Sequence, residues 1–141
     1  MKAWSKPTVD TKFHIDYEWW KRNNLDFRLY LRNQLCPQCQ ERFTDHRETE
    51  IVDWVDPDTG EVKQTDALLE CLRTYCVHHA EFISPQVPLA AAAFRLLLVN
   101  ENRPMSPREM HKVIHWRSPE AILQVLAGKQ IYLGIRPVSE N

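Results

Sequence analysis

Two cysteines separated by two residues, Cys36-Pro37-Gln38-Cys39, carry the clearest chemistry in this sequence. The spacing places two thiolates on one tight turn of the backbone, and Zn²⁺ takes four such ligands in a tetrahedral arrangement. A second group of sulfur and imidazole side chains follows at Cys71, Cys76, His78 and His79. The sequence therefore predicts a structural zinc site that draws two ligands from each group.

Spacing favours two ligands within the second group. Cys76 and His79 are three residues apart, so both face the same side of a helix end. Cys71 and Cys76 are five residues apart, which separates them by roughly 140° on a regular helix. We therefore predict Cys36, Cys39, Cys76 and His79 as the zinc ligands. A distortion at the helix end would admit Cys71.

Other roles for the cysteines depend on the compartment. The first residues lack the apolar core of a signal peptide, and the longest apolar run, 87–99, is interrupted and too short for a membrane span. These features predict a cytoplasmic protein without a membrane segment, where reductants keep thiols free, so we expect no disulfides. The alternatives are buried apolar cysteines or a redox dithiol, although no thioredoxin-like pattern surrounds the pair.

Charge differs between the two parts of the chain. The 141 residues are 43% hydrophobic and 26% charged, which is ordinary globular composition, and the net charge is −1. Residues 1–86 hold 11 Lys or Arg and 15 Asp or Glu, a net charge of −4. Residues 87–141 hold 7 and 4, a net charge of +3. This asymmetry predicts two modules, 1–86 and 87–141, with different surfaces.

The elements expected around the cysteines are a helix, a hairpin and a second helix. Apolar periodicity predicts a helix over 15–35 with Asp16 as its N-cap. Strands over 50–55 and 61–63 flank the turn sequence 56–60, which contains Pro and Gly. Thr65 or Asp66 begins a helix that runs to about Tyr75. The fold class is therefore α+β and mainly helical, with a zinc-stabilised hairpin module.

The order of a cysteine knuckle, a hairpin and a helix with late ligands resembles a treble-clef or zinc-ribbon module over residues 36–79. The pairs Asp45-His46 and His78-His79 invite comparison with HNH-type nucleases, which place such residues on a treble clef. Asp45-His46 precedes the hairpin here instead of lying within it. We therefore expect a closed structural site and no enzymatic activity, with a zinc-dependent nuclease as the remote alternative.

Helix starts are well marked in the second module. A helix over 89–99 is followed by Ser106-Pro107-Arg108-Glu109, which forms a capping box. Ser118-Pro119 begins another helix that ends near Ala127, and a terminal strand or short hairpin surrounds Gly134. This order resembles a winged helix-turn-helix domain over residues 87–138.

The resemblance implies binding of nucleic acid, DNA more than RNA, in transcription regulation. The residues that would make these contacts are Arg103, Arg108, Lys112, Arg117, Gln124, Lys129 and Arg136. Winged helices also dock proteins, so the competing class is a non-enzymatic adaptor or complex subunit. In that case Trp19 and Trp20 would meet a partner or a second copy of the chain.

Overall fold

The computed structural model describes residues 6–43, 51–55 and 57–138. The mainly helical α+β class predicted from the sequence is confirmed. The strands are β1 (Phe13–Ile15), β2 (Ile51–Val55), β3 (Val62–Asp66) and β4 (Ile135–Pro137). The helices are α1 (Tyr17–Arg22), α2 (Phe27–Asn33), α3 (Pro37–Arg42), α4 (Ala67–Thr74), α5 (Leu89–Val99), α6 (Pro107–Met110) and α7 (Pro119–Leu126). A 3₁₀ turn covers Cys76–His78.

The chain forms two compact units. The first contains Met1–Asn24 together with Ile83–Asn141, and the second contains Leu25–Phe82. The chain passes from one unit to the other after Asn24 and after Phe82. The segment before residue 25 belongs to the first unit because β1 pairs with β4.

In the first unit, β1 and β4 form an antiparallel pair with Ile15 opposite Ile135. Phe13 also forms an isolated bridge with Met105. The side-chain amide of Asn102 accepts from the Ile15 amide at 2.7 Å and donates to its carbonyl at 3.0 Å. These contacts hold β1 beside the end of α5. Buried side chains of this unit include Phe13, Trp20, Phe94, Leu97, Met110, Ile114 and Ile122.

The single helix predicted over 15–35 is wrong in length. Asp16 is indeed the N-cap, and its carboxylate accepts from the amides of Glu18 and Trp19. The helix stops at Arg22, however, because Asn24 adopts a left-handed conformation with φ of 53°. Asp26 then caps α2 by accepting from the next helical amides.

The helix starts predicted in the second half are confirmed. Ser106 and Glu109 form the reciprocal capping box of α6, and Ser118 caps α7. Helix α6 ends at Met110. Within the described residues Gly134 is not the centre of a hairpin, because β4 pairs with β1 instead. The wing of a winged helix is therefore not seen.

The second unit places a hairpin before the helix α4. Strands β2 and β3 pair antiparallel, with Ile51 opposite Asp66 and Val55 opposite Val62. Gly60 in the connecting turn has φ of 72°, the conformation for which glycine was expected. Among the residues of this unit whose burial the structure describes, the buried side chains are the four cysteines and an apolar set comprising Leu31, Leu35, Ala67, Leu68, Leu72 and Phe82. None of the helices in the described part of the chain has the length and hydropathy that a membrane crossing requires.

Candidate metal centre

Three buried cysteines form the candidate site. The Sγ atoms of Cys36, Cys39 and Cys76 all lie within 4.8 Å of one another. Cys36 is 9% exposed, Cys39 is 3% exposed and Cys76 is fully buried. Sulfurs at this separation can share one metal ion, since Zn–S bonds are about 2.3 Å long. The structure thus brings together three of the four predicted zinc ligands.

Helix α3 positions the first two cysteines. Cys36 is its N-cap residue and Cys39 lies in its first turn, so the predicted knuckle is a helix start. Pro37 fits at the first helical position because its missing amide would have no partner there. Arg32 donates to the backbone carbonyls of Gln40 and Phe43 near the other end of α3. This side chain fixes the short helix against α2.

The end of α4 positions the other two cysteines. Cys71 lies inside α4, which stops at Thr74. Tyr75 is its C-cap residue with φ of −113°, and the 3₁₀ turn begins at Cys76. The angle of a regular helix therefore does not apply between Cys71 and Cys76. This is the distortion that would admit both sulfurs to one site.

Cys39 and Cys71 are joined by a disulfide, with their Cα atoms 6.4 Å apart. The expectation that the cysteines form no disulfide is therefore wrong for this pair. Cys36 and Cys76 are free. Because Cys71 is bonded to a sulfur of the cluster, all four cysteines meet in one place. The spacing favoured Cys76 and His79 over Cys71 only on the assumption of a regular helix.

Cys36 and Cys76 contact each other directly. The backbone amide of Cys36 donates to the Cys76 Sγ at 3.1 Å. Burial raises the pKa of the Cys76 thiol to about 11, and this hydrogen bond opposes the rise. Without a metal, Cys76 is therefore a protonated thiol. A metal ion has to displace that proton on binding.

The predicted fourth ligand, His79, is exposed and lies outside the group. His78 is exposed as well. The backbone explains this placement: the His79 amide donates to the Cys76 carbonyl at 3.1 Å, and the chain then leaves the turn in an extended conformation. Asp45 and His46, which suggested the nuclease comparison, lie outside the described residues.

An ion pair anchors α4, which carries Cys71. Asp66 is its N-cap residue, and Asp66 Oδ1 accepts from the Leu68 amide at 2.8 Å. The same carboxylate pairs with the Arg28 guanidinium of α2 through two hydrogen bonds. Both side chains are about three-quarters buried, with 26% and 23% exposed. Partial burial of Arg28 lowers its pKa, while neighbouring Asp26 opposes the change.

The residues predicted to bind nucleic acid are dispersed in the first unit. Gln124, Lys129 and Arg136 line one groove of about 800 Å³ beside α7 and β4. Arg108 Nε donates a hydrogen bond to Asp10 Oδ1 at 2.9 Å, and this contact raises the pKa of Arg108.

Several of the other predicted cations are also held by local partners. Arg136 pairs with Asp16 at 3.3 Å, and Arg103 is bonded to Asn100. Lys112 and Arg117 are exposed. Fewer of these basic side chains are therefore available to bind phosphates than the sequence suggested.

The two tryptophans proposed for docking differ in exposure. Trp20 is 2% exposed, packs on Phe94, and donates from Nε1 to the Leu133 carbonyl at 3.1 Å. Trp19 is partly exposed and lies nearly perpendicular to Trp20, with the ring centroids 5.5 Å apart. Trp20 is thus part of the core, and docking through Trp19 stays a prediction.

Comparison with known proteins returns no match among protein-family models, curated proteins or solved structures.

Proposed function

We propose that the second unit, Leu25–Phe82, is a zinc-binding module whose metal is structural. The observation that carries this proposal is the meeting of four buried cysteine sulfurs from two distant segments. Buried thiolates are the ligands that Zn²⁺ favours, and four of them close its coordination shell. We assign Cys36, Cys39, Cys71 and Cys76 as the ligands, with Cys71 in place of His79.

The ligand set supports a structural role instead of a catalytic one. Catalytic zinc sites keep one position open for water or substrate. Four buried sulfurs leave no such position, and the two nearby histidines, His78 and His79, face solvent. The module resembles a treble clef in its order of knuckle, hairpin and helix.

The second unit is small enough that a bound zinc ion would contribute to its stability. Units of roughly 60 residues or fewer bury too little apolar surface to be very stable, and metals or disulfides commonly stabilise them. The cysteines lie among the apolar side chains of the same core. Zinc binding by four thiolates therefore belongs to the folding free energy of the unit. It requires a reducing compartment, in keeping with the predicted cytoplasmic location.

Zinc titration of the reduced chain, followed by X-ray absorption at the zinc edge, tests the proposal. We expect one bound ion per chain with four sulfur neighbours at about 2.3 Å. A shell that contains a nitrogen neighbour at about 2.0 Å would restore His79 as a ligand. Failure of the reduced chain to bind zinc above a denatured control would contradict the proposal.

Binding of nucleic acid by the first unit, in transcription regulation, is the second candidate. Gln124, Lys129 and Arg136 line one groove, which places an amide and two basic side chains around the same cavity. Such a surface would give salt-dependent affinity for phosphates. Fluorescence anisotropy with duplex DNA tests this, comparing Lys129→Glu with Lys21→Glu, a charge change on the exposed surface of α1. Equal binding by both variants, or no binding at low salt, would rule it out.

A further inference from the structure

The cysteine cluster holds two kinds of sulfur chemistry in one place. Cys39 and Cys71 are bonded to each other, while Cys36 and Cys76 are free thiols within reach of Cys39. Zinc coordination needs Cys39 and Cys71 as separate thiolates. The disulfide and the four-sulfur zinc site therefore exclude each other.

We propose that Cys39 and Cys71 are an oxidisable pair within the zinc site, so that a hydroperoxide releases the metal by converting them to the disulfide. This inference rests on the zinc-binding function proposed above. Its ligand is Zn²⁺ and its co-reactant is a small hydroperoxide. The product is the disulfide that joins α3 to α4 across a sequence separation of 32.

The net reaction oxidises the thiolates of Cys39 and Cys71 and reduces the hydroperoxide. Two thiolates lose two electrons as the S–S bond forms, and the O–O bond of the hydroperoxide breaks as it accepts them. The two oxygen products take up protons as water and an alcohol, or as two waters from hydrogen peroxide. Zinc loses two of its four ligands and leaves. Cys36 and Cys76 then take up protons as thiols.

We place the first oxidation at Cys36. At 9% exposure it is the most exposed of the four, whereas Cys39 and Cys71 are each 3% exposed. The Cys36 thiolate attacks the O–O bond and becomes a sulfenic acid, and the alcohol or water leaves. The Cys39 thiolate then attacks this sulfur and expels its hydroxyl group as water, which gives a first disulfide between Cys36 and Cys39. Cys71 would then attack Cys39 and release the Cys36 thiolate, because thiol–disulfide exchange moves the bond without further oxidant.

Both forms connect the same elements. Zinc joins the start of α3 to α4 and the 3₁₀ turn, and the disulfide also joins α3 to α4. The second unit is therefore expected to keep its core in the zinc-bound and in the oxidised form. The reduced, metal-free form lacks both connections, so we expect it to be the least stable of the three forms.

The test uses the full chain loaded with zinc, whose content is measured first. Hydrogen peroxide is added, released zinc is followed with a chromogenic chelator, and cysteines are mapped by differential alkylation and mass spectrometry. We expect loss of the bound zinc, a Cys39–Cys71 disulfide, and alkylated Cys36 and Cys76. A thiol reductant with added zinc should reverse all three changes.

The variant Cys71→His keeps a zinc ligand at position 71 but removes the sulfur that bonds to Cys39. Under peroxide doses that empty the wild type, this variant should stop at the Cys36–Cys39 disulfide, because it has no thiol at position 71 to take over the bond. If this variant does not bind zinc, the cysteine map of the wild type decides. A zinc-loaded wild type that keeps its metal, or that forms a final disulfide other than Cys39–Cys71, would overturn the inference and leave the zinc-binding function intact. Failure of the reduced chain to load zinc at all would overturn both.

Discussion

The backbone amide of Cys36 donates a hydrogen bond to the Cys76 Sγ, 3.1 Å away and 40 residues later in the chain. Such a bond stabilises negative charge on the sulfur, which burial of Cys76 otherwise disfavours. The start of α3 is therefore joined to the end of α4 by the same group that would bind a metal. This contact is present together with the Cys39–Cys71 disulfide.

Substitution of single ligands should show whether Cys71 or His79 is the fourth zinc ligand. Cys36→Ser, Cys71→Ser and Cys76→Ser each remove one sulfur from the cluster. We expect each to weaken zinc binding by more than the roughly 10–100-fold that loss of an outer-shell partner causes. His79→Ala should leave the affinity unchanged, because His79 is exposed and outside the group. Competition with a chromogenic chelator gives these affinities, and a large loss in His79→Ala would reject our ligand assignment.

Two substitutions at Asp66 should separate the stabilisation that comes from its helix cap from that of its ion pair with Arg28. Asp66→Asn keeps an oxygen that can accept from the Leu68 amide but removes the charge that pairs with Arg28. Asp66→Ala removes both. We expect Asp66→Ala to lower the free energy of unfolding by about 1 kcal/mol more than Asp66→Asn, since that is the typical value of an N-cap. Urea denaturation measures the difference, and equal losses would show that the cap contributes nothing.

Gly134 should tolerate no side chain. It has φ of 72°, and a Cβ built there would lie 2.5 Å from Trp20 Nε1 and 3.0 Å from Trp19 Cε3. Gly134→Ala should therefore combine backbone strain with a clash in the core and lower the free energy of unfolding by about 2–3 kcal/mol.

Gly60 provides the matched control for this substitution. It has the same φ of 72° with nothing within 4 Å of the added Cβ. Gly60→Ala should lose only the strain of a left-handed alanine, about 1 kcal/mol. Thermal unfolding of both variants measures the comparison. A loss in Gly134→Ala no larger than in Gly60→Ala would mean that Trp20 moves aside freely.

Glu109 should make stability depend on pH in the acid range. Hydrogen bonds from Lys12 and from the Ser106 amide lower the pKa of Glu109 to about 2. The folded chain therefore favours the charged carboxylate, whose contribution is complete above about pH 4.5 and is lost as the pH falls towards 2. The side chain is 41% exposed, so solvent screens this contribution and keeps it small.

Glu109→Gln should accordingly reduce stability near neutral pH, and the difference from the wild type should shrink on acidification. Urea denaturation at a series of pH values measures this. Glu101→Gln, at an exposed position of the turn after α5, serves as the control. A difference for Glu109→Gln that stays constant between pH 7 and about pH 2 would contradict the assigned hydrogen bonds.

Local signals in the sequence predicted the starts of helices well. Asp16, Asp66, Ser106 and Ser118 all cap helices, because a cap depends on a side chain and the amides two or three residues later. The interruption at Asn24 was missed although its signal was present. Asn favours left-handed backbone, and Asp26 two residues later is a further cap.

Long-range pairing could not be predicted in the same way. The partner of β4 is β1, near the other end of the chain, and nothing in either short segment specifies the other. The cysteine site was predicted in outline because Cys36 and Cys39 are neighbours. The choice between Cys71 and His79 depended on where α4 ends, and element ends are set by tertiary contacts as much as by local preference.

Zinc content of the reduced chain tests the central claim most directly. The full chain is purified in the presence of a thiol reductant without added metal, and zinc is measured by elemental analysis beside a count of reactive thiols. We expect about one zinc per chain, with four thiols that become reactive only when a chelator removes the metal. Reduced, folded protein that contains no zinc, takes up none when it is added, and shows the same thiol reactivity throughout would contradict it.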